Sequence, residues 1–344
     1  MNMVRLAIIG VGVIGRRHIA AIGDMADCEL VAIADPHPTG RTAAEECNVP
    51  WFAGTDTMLA ETKPDGVIVA TPTEHHLEPV LVALDAGAHV LVEKPISATL
   101  SQADAIIARS EETARHVLVG HHRRYYPLLH KARDLVRGGA LGRLVAVSGQ
   151  WTVQKPQSYF EQDWRRRREA GPILTNLIHD MDSLRYICGN VTSICAEVAN
   201  TVLGYEKEDA AAFVVRFQDG ALGTFILSDQ TPSPWTWEFA TGENPAFPRS
   251  GQNACRFMGT KAALDFPNLT LWSHDEGESG WNQPTRPHPV EHGLGDAFAA
   301  QCRHFCAVIR GDEAPRITAA DARETLRATL AVFDAAESGS RVML

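Results

Sequence analysis

Val4-Arg5-Leu6-Ala7-Ile8-Ile9-Gly10-Val11-Gly12-Val13-Ile14-Gly15 is the stretch whose reading decides the fold. The apolar run predicts a buried strand, and Gly10-x-Gly12-x-x-Gly15 predicts a turn into a helix. In a dinucleotide-binding turn each glycine has its own task. Gly10 allows the tight turn, Gly12 lets backbone approach a pyrophosphate, and Gly15 lets helix pack closely on strand. The first helical turn, at Val13, Ile14 and Gly15, would offer N–H groups and the positive end of the helix dipole to the anion. A second apolar run, Glu29-Leu30-Val31-Ala32-Ile33-Ala34-Asp35, ends on an acid about 20 residues beyond Gly15. An acid there accepts hydrogen bonds from ribose hydroxyls. With no arginine immediately after it, Asp35 predicts NAD rather than its 2′-phosphorylated form.

Alternating strand and helix patterns continue to about residue 125. Short apolar runs over 65–70, 89–92 and 116–120 read as strands, and 75–87 as a helix. A further helix starts at Thr99, a candidate N-cap with Gln102 three residues on. Such alternation predicts a doubly wound parallel sheet. Ligands on these sheets bind beyond the carboxyl ends of the strands. That rule singles out Thr71-Pro72-Thr73 with the nearby His76, Glu93-Lys94-Pro95, and His121-His122-Arg123.

After about residue 140 the rhythm changes. Residues 144–151, 191–201, 210–218, 221–228, 254–258, 262–266 and 269–272 read as strands with few helices between them. Asp219-Gly220 marks a hairpin. An α+β domain with a mainly antiparallel sheet is expected. The reading is two domains, 1–125 binding dinucleotide and 126–344 binding substrate and mediating oligomerisation, with a C-terminal helix packing back on the first. Residues 231–253 and 273–293, rich in Pro, Gly, Trp and Asn, read as long loops; 295–310 and 319–337 read as helices.

The 344 residues are 45% hydrophobic and 22% charged, an ordinary globular balance. The net charge of −10 argues against a nucleic-acid partner. Arg165-Arg166-Arg167-Arg168 is the one basic block and reads as a solvated face. Cysteines at 28, 47, 188, 195, 255, 302 and 306 form no pairing pattern, as expected of reduced thiols in the cytoplasm. Cys302 and Cys306 lie i,i+4 on a predicted helix with His304 facing elsewhere, so no metal is expected. No apolar stretch is long enough to span a bilayer, so no membrane association is expected.

These motifs together resemble the glucose–fructose oxidoreductase / inositol dehydrogenase family (Gfo/Idh/MocA), over nearly the whole chain. The matching residues are the glycine loop, Ala70-Thr71-Pro72, Glu93-Lys94-Pro95, Arg123-Arg124 before an aromatic, Trp164-Arg165, and Gly171-Pro172-x-Leu174-x-x-x-x-His179-x-x-Asp182. The resemblance implies a Rossmann domain followed by an open antiparallel sheet, with hydride transfer between NAD and a carbinol of a sugar, cyclitol or polyol. An exposed open sheet face would favour pairing with a copy of itself, so a homodimer or homotetramer is expected. The resemblance assigns Lys94 and His179 to catalysis and Thr71, Pro72, His76, Glu93 and Lys94 to the cofactor. Arg123, Tyr125, Trp164, Arg165, Asn176 and, on the long loop, Trp235 are expected to flank the substrate.

The family pairs its lysine with an Asp-x-x-x-His helix. Here Thr175 stands at the aspartate position, followed by Asn176, and His121-His122 replaces the usual Phe-Asn. Histidine titrates near neutrality and suits a general base. Lys94 suits stabilisation of the reacting oxygen. Thr175 is no base and is expected to orient substrate or water. Two other readings keep the fold: an imine or enone reductase or a redox-assisted glycoside cleavage, and a non-catalytic NAD sensor.

Overall fold

The computed structural model describes residues 3–275 and 279–344. The chain divides into two compact units, Met1–Tyr125 with Asp296–Leu326, and Tyr126–Gly295 with Arg327–Leu344.

In the first unit, β1 (Val4–Ile9), β2 (Cys28–Ala34), β3 (Trp51–Phe52), β4 (Gly66–Val69), β5 (His89–Val92) and β6 (Val117–Val119) form one parallel sheet. The strand order is β3-β2-β1-β4-β5-β6. This is the doubly wound dinucleotide order, with its switch point between the adjacent strands β1 and β4, where such sheets take their ligand. The strands read as continuous apolar runs because both faces are covered. Leu6, Ile8, Ile68, Leu91 and Leu118 pack against Phe298, Cys302, Phe305 and Cys306 of the helix Ala297–Arg310. The segment expected as a helix over 75–87 opens as a 3₁₀ turn, Thr73–His75, before the α-helix Leu77–Asp85. Pro79 falls in that helix's first turn, where its missing N–H costs nothing. Thr99 caps the helix Leu100–Thr113, accepting from the Gln102 N–H at 3.3 Å.

The second unit is built on a nine-stranded sheet: β7 (Leu144–Thr152), β8 (Val191–Ala199), β9 (Ala210–Phe217), β10 (Leu222–Ser228), β11 (Cys255–Gly259), β12 (Ala262–Phe266), β13 (Thr270–Ser273), β14 (Arg286–Pro289) and β15 (Val342–Met343). The order is β14-β13-β12-β11-β7-β10-β9-β8-β15. The β7–β10 pair is parallel and the other pairs antiparallel. Gly220, with φ +87°, makes the β9–β10 turn. Along β9, Ala211, Phe213, Val215 and Phe217 are buried while Ala212, Val214 and Arg216 face out, so this sheet has one wet face.

Two stretches expected as loops carry regular structure. Trp237–Thr241 is a short helix capped by Thr236. Arg286–Pro289 is an edge strand whose prolines hid it; an edge is where a sheet tolerates proline. Residues 276–278 of the second stretch lie outside the described residues. Among the described residues no helix is long and apolar enough to cross a membrane.

Candidate functional site

The glycine loop is shaped by close approach. Gly10 has φ +89°, and a Cβ there would lie 2.8 Å from the Ala70 carbonyl oxygen. A Cβ on Gly15 would lie 2.1 Å from the Gly10 oxygen. A Cβ on Gly12 would meet nothing within 4 Å. Gly12 is the N-cap of the helix Val13–Gly23 and supplies no side-chain cap, so the helix start is open to an anion, with Val13 exposed. Asp35 follows β2 directly. Its carboxylate accepts from the Val11 and His37 N–H groups, both at 2.8 Å. Each oxygen keeps a lone pair for a ribose hydroxyl. Open anion end, unobstructed Gly12 and a fixed acid together fit NAD.

Three strand ends come next. Thr71 donates from Oγ1 to the His75 carbonyl at 3.1 Å. His76 is buried, with its ring nitrogens 2.9 Å from the Pro95 and Thr71 carbonyl oxygens. It ties the β4 and β5 loops together, so its reach toward a cofactor runs through those loops rather than through its own ring. Burial lowers its pKa, outweighing the carbonyl hydrogen bonds. Glu93 is also buried and meets His18 Nε2 at 2.8 Å. Burial would raise its carboxyl, but the His18 hydrogen bond, with the charges of His18, Lys94 and His122, holds it below the usual value. Gly120 is required beside it, because a Cβ would come within 2.8 Å of the Glu93 carboxylate. Lys94, half-buried, precedes a cis peptide bond to Pro95.

Arg123 and Tyr125 differ from their expected place on a substrate surface. Both are buried in the 3₁₀ turn His122–Tyr125. Tyr125 packs its ring 5.7 Å from that of His304, with Arg316 over its face. Burial pushes its phenol up in pKa. Arg124 pairs with Asp321. Sequence alone does not separate a buried arginine from a solvent-facing one when the turn is this short.

In the second unit the histidine helix starts with a π-turn, Ile173–Leu177, before the α-helix Ile178–Cys188. The plain α-helical register expected from Thr175 to His179 is thus widened at its start; π-turns of this kind recur at functional sites. Glu208 accepts from the Ile173 N–H at 2.6 Å and anchors the start of this turn. Gly171 is required there, since a Cβ would sit 2.2 Å from Glu208 Oε2. Burial pushes the Glu208 carboxyl up to about 7. Thr175 Oγ1 lies 2.9 Å from both the Gly171 carbonyl and Asn176 Oδ1. His179 is half-buried, and its carbonyl accepts from Ser183.

A charged group that the sequence reading missed lies beside this turn. Lys155 Nζ is 3.4 Å from Asn176 Oδ1 and 3.5 Å from Asp229 Oδ2. Lys207, fully buried, is 3.0 Å from Asp229 Oδ1 and 3.4 Å from Asp209 Oδ1. Burial and then the Lys207 charge lower the Lys155 pKa, against the pull of Asp229. The Tyr159 ring is close to two cations, with its centroid 4.7 Å from Lys155 Nζ and 4.3 Å from the Arg165 guanidinium. Lys207-Glu208-Asp209 just before β9 and Asp229 just after β10 are buried, and buried charges are costly unless paired. Trp164 and Trp235 are exposed, Trp164 donating to Gln162 at 2.9 Å. Within the basic block, Arg165 and Arg166 donate to the Tyr159 and Phe160 carbonyls, and Arg168 pairs with Glu337.

Residues 4–121 match the oxidoreductase family with an NAD-binding Rossmann fold, and 129–265 match the GFO/IDH/MocA C-terminal domain. The chain belongs to the Gfo/Idh/MocA oxidoreductase family. Among its curated Gfo/Idh/MocA relatives is the rhizopine catabolism protein MocA of Rhizobium meliloti, 28% identical over 251 residues, covering 70% of this chain and 77% of that protein. Another is the scyllo-inositol 2-dehydrogenase (NAD(+)) of Bacillus subtilis, 26% identical over 355 residues, covering 100% and 97%. Among solved structures, the WlbA dehydrogenase of Bordetella pertussis, in complex with NADH and UDP-GlcNAcA, superposes with a TM-score of 0.82 at 22% identity. It covers 100% of this chain and 99% of that one. The family gives the chain its NAD-binding domain and its oxidoreductase class.

Proposed function

We propose that this protein is an NAD-dependent dehydrogenase of a carbinol carbon in a sugar, cyclitol or related polyol. The observation that carries the reading is the retention of Lys94 on its Glu-Lys-Pro strand end and of His179 directly after a π-turn, within a family of oxidoreductases. Bound NAD supplies the hydride acceptor. His179 takes the hydroxyl proton as general base. The Lys94 ammonium steadies negative charge on the substrate oxygen as that proton leaves. Gly12 and the open start of the helix Val13–Gly23 hold the pyrophosphate, and Asp35 holds the ribose and disfavours a 2′-phosphate.

Thr175 replaces the family's acid, so the helix brings no carboxylate of its own at that position. Asn176 Oδ1 faces the Lys155 ammonium and shares the single Thr175 hydroxyl proton with the Gly171 carbonyl, which leaves its amide N–H groups to donate to a substrate oxygen. Thr175 and Lys155 therefore orient Asn176, and the site favours a substrate with an acceptor oxygen there.

The outer face of the nine-stranded sheet exposes Val214, Leu222 and Ile226. We assign this face to pairing with a second copy of the chain. All seven cysteines are free thiols, in keeping with a cytoplasmic enzyme. The test is a panel of inositols, sugars and sugar acids with NAD, scored by NADH formation in wild type and in His179→Ala. Polyol-dependent NADH formation that His179→Ala slows by roughly 10²–10⁴ is expected. A protein that binds NAD but turns over no carbinol would replace this reading with that of a sensor.

A further inference from the structure

The first unit gathers four sulfur atoms that spacing along the chain does not reveal. Cys28 begins β2, while Cys302 and Cys306 lie one turn apart on the helix Ala297–Arg310. The fold brings Cys28 onto that helical pair. The three Sγ atoms lie within 4.8 Å of one another, and all three residues are buried. Met25, in the turn before β2, adds a thioether, with its Sδ 3.8 Å from Cys28 Sγ. His304, on the same helix, is taken by Glu313 at 3.1 Å and by the Arg316 N–H at 3.1 Å, so it is not part of the group.

We infer that Cys28, Cys302 and Cys306 form a binding site for one thiophilic d¹⁰ metal ion, with the Met25 thioether as a weak fourth ligand. A donor set of sulfur alone selects soft ions and rejects magnesium and calcium, which need oxygen. The geometry is close to what such an ion requires. A metal–sulfur bond of about 2.3 Å sets tetrahedral sulfurs roughly 3.8 Å apart and trigonal ones roughly 4.0 Å apart. The Cys28–Met25 separation already has the tetrahedral value, and the three thiols need close by less than about 1 Å.

Each thiol that ligates gives up its proton, so a divalent ion bound by three thiolates carries one net negative charge. Arg310, at the end of the same helix, is paired with Asp27 and Asp312, each at 3.0 Å, so its charge is already matched there. The site ties the start of β2 to the helix that covers β1, so an occupied site would stiffen the first unit. The expectation of no metal, drawn from Cys302 and Cys306 alone, is revised because the third ligand comes from a distant strand.

The test uses the full chain, reduced and freed of metal, titrated with Cd²⁺ as a spectroscopic probe and challenged with Zn²⁺ and Cu⁺. The expected result is a sulfur-to-cadmium charge-transfer band that saturates at one equivalent, with a raised Tm. The band is lost in Cys28→Ala and in Cys302→Ala and kept in Cys47→Ala. Met25→Leu, which conserves volume, should weaken binding without abolishing it. X-ray absorption on the loaded wild type, which needs no variant to fold, should show three or four sulfur neighbours and no oxygen shell. Absence of a one-equivalent band in wild type, or a band that survives both Cys28→Ala and Cys302→Ala, would overturn the inference.

Discussion

Gly12→Ala and Gly15→Ala should separate cofactor binding from folding within a single loop. A Cβ on Gly15 would sit 2.1 Å from the Gly10 carbonyl oxygen, where an ordinary carbon–oxygen approach is about 3.3 Å or more. Both partners are backbone, so no side chain can swing aside. The overlap of more than about 1 Å must be relieved by moving the helix off the strand. Overpacking of this kind costs about 3 kcal/mol, the upper end of its usual range. At about 2–4 °C per kcal/mol, Tm should fall by roughly 6–12 °C. Gly12 is different. Its Cβ would meet nothing within 4 Å, and its φ of −66° and ψ of −166° suit any residue. Alanine forfeits only some N-cap preference, about 1 kcal/mol or less, or roughly 2–4 °C. Its methyl does stand where the pyrophosphate must approach backbone, so NAD affinity should fall by about tenfold or more, equivalent to about 1.4 kcal/mol. Thermal unfolding without cofactor and calorimetric titration with NAD read the two effects separately. A Gly12→Ala protein that binds NAD as wild type does would refute the assignment of this loop to the pyrophosphate.

His179→Ala should lower kcat by roughly 10²–10⁴ while leaving NAD affinity near wild type, and near-normal turnover would pass the proton to another group. Thr175→Val keeps the shape and removes a hydrogen bond of about 0.5–1.5 kcal/mol, so kcat/KM should fall roughly threefold to tenfold; a loss as deep as that of His179→Ala would make the hydroxyl part of an essential relay. Glu208 gives a pH signature. Burial pushes its carboxyl up to about 7 from 4.5, so the unfolded chain loses this proton first. Between those values the folded chain holds more protons, and stability falls as pH rises through the window, by about 3 kcal/mol in total. Denaturant titrations across that window should show the slope flattened in Glu208→Gln, and an unchanged slope would remove Glu208 as its source. Asp35→Ser should erode the preference for NAD, measured as kcat/KM for both cofactors; a wild-type preference for NADP would contradict the role of this carboxylate.

The first unit was the more legible half. Its strands are short runs of buried aliphatic residues punctuated by glycine, with the glycine loop after β1 and Asp35 after β2, so period and spacing suffice. The Thr99 cap and the Asp219-Gly220 hairpin were legible for the same local reason. What sequence did not reveal was set by tertiary packing. Tyr125 packs on His304 and Arg316, and its neighbour Arg124 pairs with Asp321, all far along the chain. The network of Lys155 with Asn176 and Asp229 joins residues from three separate segments, and the Cys28–Cys302–Cys306 group joins the start of β2 to a late helix. The π-turn at Ile173–Leu177 has no periodicity of its own to read. Edge strand β14 was hidden by prolines that only an edge tolerates.

The account rests most directly on hydride passing between a substrate carbinol and nicotinamide. The measurement is a single turnover of the wild-type enzyme with NAD and a polyol from the panel that carries deuterium on its carbinol carbons, followed by mass spectrometry of the recovered NADH. The expected result is deuterium in the nicotinamide ring of NADH, one per ketone formed, a primary isotope effect when chemistry limits the turnover, and transfer slowed by roughly 10²–10⁴ in His179→Ala. Product formed with no deuterium in the recovered NADH, or deuterium transferred by the His179→Ala protein at the wild-type rate, would contradict it.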